Sequence, residues 1–227
     1  MSSALIPLQS ADESLVSQIF EPKNNIHNII ANSNDEFAKK EKKEELTAFI
    51  TTDGELLRQY YDMRHTAFHD EIGFSEYSGW ENECDRKGHI IVAVKGGNVV
   101  GGVRLMFSDE AGFMSNEIPG TEFCYDPIIK KYDQRDGLIN SEISSVVVSP
   151  DERDGSVSRK LFEVSLKEIR NHKCHYLCGV AMVAVCREYR RKFKELGLDI
   201  EIMMNRLWEK KSVYNFVKLF PMYVKLS

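Results

Sequence analysis

His89–Phe107 reads HIIVAVKGGNVVGGVRLMF, and this stretch decides the fold. Two β-rich runs flank Gly96-Gly97, and a Gly-Gly dipeptide in that setting signals a hairpin. The spacing predicts strands at 89–95 and 98–107. A second block, Asn140–Arg153 (NSEISSVVVSPDER), predicts a strand at 140–148 that stops before Pro150. Each block carries one charged residue where the periodicity would bury it, Arg104 in the first and Glu142 in the second. A buried charge is costly unless it is paired or hydrogen-bonded, so the two point to a site between these strands.

Working outward, Leu46–Thr52 predicts a strand, and Asp53 is placed to cap a helix reaching about Phe68. Leu56, Leu57, Tyr60, Tyr61, Arg64 and Phe68 recur at helical spacing along it. Residues 108–137, with Pro119, Gly120, Pro127 and Gly137, predict irregular chain with one short helix at most. A helix over 156–172, a strand over 174–182, a helix over 184–195 closed by Gly197 and a strand over 199–204 follow. Val213–Val217 and Tyr223–Leu226 add a last helical turn and a strand. The expected fold class is α/β (α+β): one mixed sheet of six to seven strands with helices on both faces. Residues 1–45, with Asn/Ser-rich turns and the charge run Lys39–Glu45, form an N-terminal helical extension, and 46–227 form the domain.

A chain of 227 residues can bury a full core. Its formal net charge of −5 carries no nucleic-acid signature, and its longest apolar run is too short for a membrane span. The opening residues have neither a basic segment nor an apolar one, so a cytoplasmic protein is expected. Cys84, Cys124, Cys174, Cys178 and Cys186 are odd in number and lack framework spacing, which fits reduced thiols. Cys174 and Cys178 beside His172 and His175 read as buried strand cysteines, and His65 and His69 read as surface histidines of a helix. No metal and no permanently bound cofactor is expected. Gly96-Gly97 and Gly101-Gly102 lie within a hairpin and not before a helix, which excludes a dinucleotide-binding loop.

The strand order and its residues resemble the GNAT-fold acyltransferases. Within that fold the chain is similar to the autoinducer (acyl-homoserine-lactone) synthases and the long-chain N-acyl amino acid synthases. Four segments carry the likeness. LLRQYYDMRHTAFHDEIGF resembles the family's Arg-x-x-x-Phe helix, with Arg64 and Phe68 on its matching positions. GWENECDRKGHIIVAV resembles the acidic segment before the second strand, with Asp85 on its final aspartate. GGVRLM matches through Arg104, and SEISSVVV matches through Glu142.

The resemblance implies transfer of a fatty acyl group from an acyl carrier protein or coenzyme A thioester to the amine of a small acceptor. Two substitutions turn the expectation toward an N-acyl amino acid product. Ser145 stands where the family has an arginine, and Asn82 where it often has an aspartate. The loop Arg153, Asp154, Gly155, Ser156, Val157, Ser158 aligns with the phosphate-cradling Arg-x-x-Gly-x-Gly of acetyltransferases, but both motif glycines are serines. Phe193 replaces the tyrosine that protonates the leaving thiolate in those enzymes. Both changes favour a carrier-protein donor.

Each candidate has two readings. Glu142 is either the base that deprotonates the amine or a structural partner of Arg104. Asp85 and Glu83, with Glu81, are either base candidates or a solvated acidic loop. Arg104 and Arg64 hold a substrate carboxylate or belong to a structural charge network. Phe68, Ser145, Val146 and Val148 would line the acceptor side, and Arg153, Ser156, Ser158, Arg159 and Lys160 the donor side. Arg187, Arg190, Arg191 and Lys194 share a helix face that would dock an acidic carrier protein or simply be solvated. Phe107, Met106, Phe113, Met114 and Phe123 read as core before they read as an acyl tunnel. Two other functions remain open: a coenzyme-A-dependent N-acetyltransferase, and a non-catalytic acyl-ligand or partner-binding module.

Overall fold

The computed structural model describes residues 44–74, 78–110, 137–203 and 219–226. The sequence readings for 1–43, the 111–136 stretch with Phe113, Met114, Phe123 and Cys124, and Val213–Val217 lie outside them.

The described strands form one seven-stranded sheet. In chain order they are β1 Thr47–Ile50, β2 His89–Lys95, β3 Asn98–Phe107, β4 Asn140–Val148, β5 Tyr176–Met182, β6 Glu201–Ile202 and β7 Leu219–Lys225. Their order across the sheet is β1-β2-β3-β4-β5-β7-β6. Only β4 and β5 run parallel; the other neighbours are antiparallel. The described α-helices are α1 Gly54–His65, α2 Glu83–Lys87, α3 Ser156–Asn171 and α4 Val183–Glu195. A π-helical turn, Thr66–Glu71, continues α1. The predicted mixed sheet with helices on both faces is what the chain forms.

Strand alternation sorts the helices onto the two faces. Ile91, Ala93, Val103, Leu105 and Ile143 pack under α3 and α4, against Val157, Leu161, Phe162, Ile169, Tyr189 and Phe193. The intervening residues Ile90 and Val92 point the other way and pack with Val99 and Val147 under Tyr60 and Tyr61 of α1. Gly102 lets α1 approach this closely, because a Cβ there would overlap the Tyr60 ring.

Two local features shape the middle of the sheet. Gly102 pairs with Val147 and Arg104 with Ser144, so Ser145 and Val146 together oppose Val103. This bulge puts Ser145 in the left-handed region, at φ 52°. Tyr60 donates its hydroxyl to the Ser145 carbonyl at 2.8 Å, tying α1 to the bulge. The second feature is a parting of strands. The β4–β5 ladder covers Asn140–Glu142 against Tyr176–Cys178 only. Beyond it β4 stays with β3 to Val148, while β5 stays with β7 to Met182.

Three sequence expectations need correction. Glu83 and Asp85 were expected on a loop but lie in α2, a single turn that Asn82 caps. The first helix was expected to stay α-helical to Phe68, yet it turns π-helical from Thr66. The expected strand at 199–204 shortens to Glu201–Ile202.

Candidate active site beside the parted strands

Two buried arginines on the α1 face converge on one carboxylate. Arg64 reaches inward from the last turn of α1 and donates Nη1 to Asp85 Oδ1 at 2.7 Å and Nη2 to Asp85 Oδ2 at 2.6 Å. It also donates to two backbone carbonyls, Nε to Gly79 at 2.8 Å and Nη2 to Trp80 at 2.7 Å. Tyr60 and Tyr61 present ring faces to the guanidinium, with centroids 5.2 and 4.8 Å from its carbon. Arg104, from β3, donates Nη1 to the same Asp85 Oδ1 at 2.9 Å and to Asn82 Oδ1 at 3.2 Å. Its Nε donates to Ser144 Oγ on β4 at 3.1 Å. Both arginines and the Asp85 side chain have no solvent exposure.

The local chain explains how α2 can present Asp85. Asn82 Oδ1 accepts the Asp85 N–H at 3.1 Å, and Asp85 Oδ2 accepts the Asn82 N–H at 2.9 Å. This reciprocal cap holds a five-residue helix whose one buried apolar side chain is Cys84. Asn82 thus does two jobs, capping α2 and accepting from Arg104.

Asp85 accepts four hydrogen bonds, two at each oxygen. Burial alone would raise its carboxyl, but the hydrogen bonds and charge of Arg64, then Arg104 and the Asn82 N–H, hold it below the usual carboxylate range. A carboxylate so engaged has no lone pair left for a substrate proton. Asp85 is built to hold two arginines, which argues against the expected role as base. Glu83 sits outside the cluster: it is exposed, pairs with Lys87 at 2.7 Å, and is lowered by that hydrogen bond.

Glu142 lies on the same sheet face as Ser144, one alternation away, and is 2% exposed. Its neighbours across the ladders are Met106 on β3 and Cys178 on β5. It marks the last β4 position paired with β5, so it stands where the strands part. Ser145 and Val146 form the bulge just beyond, and Val148 pairs with Gly101. Phe68, on the π turn, stacks on Phe74 with centroids 6.2 Å apart and packs into the α1-face cluster.

The expected donor side gathers at the other end of β4. Arg153 donates Nε to the Val148 carbonyl at 3.1 Å and Nη2 to Glu71 at 2.7 Å, so it joins this loop to the π turn. Gly155, at φ 92°, is the residue before α3. Asp154 accepts the Ser156 N–H at 2.8 Å, and that bond is the chief cause holding its carboxyl low. A carboxylate therefore occupies the start of α3. Ser158 donates to the Gly155 carbonyl at 3.2 Å, while Arg159 and Lys160 pair with Glu163. On α4, Arg187, Arg190 and Lys194 are exposed; Arg191 is tied to Glu188 and Glu195. Phe193 is buried against Phe162.

The structure thus brings Arg64, Asp85 and Arg104 into contact and sets Glu142 on the same face, while Glu83, Arg159 and Lys160 stay at the surface. Tyr60, Asn82 and Ser144 belong to this neighbourhood and were absent from the sequence candidates. The Asn82-x-x-Asp85 capping signature was the one legible sign of them.

The sequence matches no protein-family model and no curated protein. Solved structures do match. The AHL synthase LasI aligns with TM-score 0.57 and 14% identity over 81% of this chain and 91% of its own. BjaI, a CoA-dependent acyl-homoserine lactone synthase solved with SAM and isopentyl-CoA, aligns with TM-score 0.54 and 17% identity over 81% and 84%. FeeM, an N-acyl amino acid synthase from uncultured soil microbes, aligns with TM-score 0.51 and 12% identity over 80% and 91%. At such identities the likeness speaks for the fold: this chain has the GNAT fold, in a form that resembles the acyl-homoserine-lactone and N-acyl amino acid synthases.

Proposed function

We propose that this protein is an N-acyltransferase that moves a fatty acyl group from a carrier thioester to the amine of an amino-acid-like acceptor. The observation that carries this reading is Glu142, a buried carboxylate at the last β4 position before β4 and β5 part. A thioester arm laid in that parting would bring its carbonyl to the bulged strand. Glu142 takes a proton from the acceptor's ammonium group, the freed amine nitrogen attacks the thioester carbon, and the second proton that the nitrogen sheds on acylation is the one the departing thiolate takes up. The oxyanion is met by backbone N–H groups of β4 beyond the ladder, and the carbon–sulfur bond breaks to release the thiolate, which is then protonated. No covalent enzyme intermediate is required. The Arg64–Asp85–Arg104 cluster fixes β3, α1 and α2 around this point.

For the donor we favour an acyl carrier protein over coenzyme A. The Asp154 carboxylate at the start of α3 disfavours a pyrophosphate there by like charge. Exposed Arg187, Arg190 and Lys194 offer an acidic carrier a complementary surface. We assign the protein no permanent cofactor. The test is thiol release by purified protein given acyl-carrier protein or acyl-CoA, with a panel of amino acids and amines. Release that needs both a donor and an amine supports the reading; release that ignores the amine, or none, counts against it.

A further inference from the structure

Among the described residues, Asn140 Oδ1 stands out as a buried side-chain oxygen with no hydrogen-bond partner. Asn140 is 4% exposed. Leaving such an acceptor unmet costs about 1–3 kcal/mol, so a chain that keeps one has a use for it. Its backbone is fully engaged elsewhere. The Asn140 N–H donates to Ser108 Oγ at 2.9 Å, and its carbonyl accepts the Ser108 N–H at 2.9 Å. The ladder also pairs it with Tyr176 of β5. The strand position from which the side chain leaves is therefore fixed by bonds that do not use its amide.

Asn140 precedes Glu142 by one strand alternation, so both side chains leave β4 on the same face, about 7 Å apart along the strand. A carboxamide oxygen accepts hydrogen bonds and does not donate them, which selects an N–H or O–H donor and repels a carboxylate or an oxyanion. An ammonium or amine is the group that can serve both positions, giving one proton to Glu142 and holding another N–H against Asn140. We infer that Asn140 Oδ1 is a binding contact for the amine of the acceptor, orienting its nitrogen while Glu142 removes a proton. This inference rests on the acyltransferase reading above and narrows the acceptor to a primary amine, which still carries an N–H for Asn140 once the new carbon–nitrogen bond has formed.

Two substitutions test it. Asn140→Leu keeps the size and removes the orphan oxygen; Asn140→Asp keeps an oxygen acceptor. In the protein without substrate, Asn140→Leu is expected to raise the melting temperature, because a buried unmet polar group is replaced by an apolar one. In turnover it should raise KM for the amine about tenfold or more and leave KM for the acyl donor within about twofold, whereas Asn140→Asp should stay near wild type in amine KM. A fall in melting temperature for Asn140→Leu, or an unchanged amine KM, or a rise confined to donor KM, overturns the assignment. A wild-type protein that acylates no amine overturns the acyltransferase reading and this assignment with it. Product formed by wild type with an unaltered amine KM in Asn140→Leu overturns this assignment alone.

Discussion

Arg64 and Arg104 donate to the same oxygen: Asp85 Oδ1 lies 2.7 Å from Arg64 Nη1 and 2.9 Å from Arg104 Nη1. One guanidinium comes from a helix and the other from the third strand, and a single carboxylate from a five-residue helix joins them. Two cations this close repel each other unless an anion sits between them. Asp85 is that anion, and the packing of α1 on the sheet depends on it.

Asp85→Asn should therefore destabilise the fold by about 3–5 kcal/mol, the usual loss when one partner of a buried ion pair is removed. Urea denaturation at neutral pH reads this directly. The pH dependence has a definite sign. Asp85 is lowered in the folded protein, so its contribution is complete above the ordinary carboxylate range and is lost as pH falls through the folded value. The wild-type denaturation midpoint should drop on acidification, and Asn at position 85 should flatten that drop. Parallel acid limbs for the two proteins would mean that Asp85 is not held low.

Gly102 faces the Tyr60 ring, and a methyl group there would overlap it. Gly102→Ala should cost about 1–3 kcal/mol, as overpacking does, by pushing α1 off the sheet. Arg64 rides on α1, so the variant should also lose activity even though position 102 carries no polar group. A stable, fully active Gly102→Ala protein would refute this packing.

Ser145 adopts φ 52° at the β4 bulge without being glycine. Ser145→Gly should be neutral or stabilising by up to about 1 kcal/mol, and Ser145→Val should destabilise by about 1–2 kcal/mol, since a β-branched residue resists that conformation. Thermal melts of the two variants check the order. Equal melting temperatures would show that the bulge relaxes elsewhere.

Much of the fold was legible because its signals are local. Gly96-Gly97 between two β-rich runs set the hairpin at the residues where it forms, and Asp53 caps α1 as read, accepting the Glu55 and Leu56 N–H groups. The 140–148 strand and the limits of α3 and α4 followed from periodicity and from Pro150 and Gly197. α2 was not seen because five residues carry no apolar period, and only the reciprocal Asn82–Asp85 cap marks them. The π turn leaves no mark in residue type, and neither does the left-handed Ser145. Arg64, Asp85 and Arg104 were each singled out, but their meeting on one carboxylate is a tertiary fact. That geometry shows Asp85 as an anchor for two arginines, and the proposed base is Glu142.

Glu142→Gln keeps the shape of the side chain and removes only the carboxylate proposed to act as base. Mass spectrometry of organic extracts would compare cells expressing wild type and Glu142→Gln, in a host that supplies fatty-acyl carrier protein, with folding checked by circular dichroism. A series of acylated amines, spaced by two-carbon units on one head group, is expected in the wild-type extract and about 100-fold or more reduced in the variant, as loss of a general base requires. The same series at equal abundance in both extracts, or no acylated amine with wild type, would contradict the proposal.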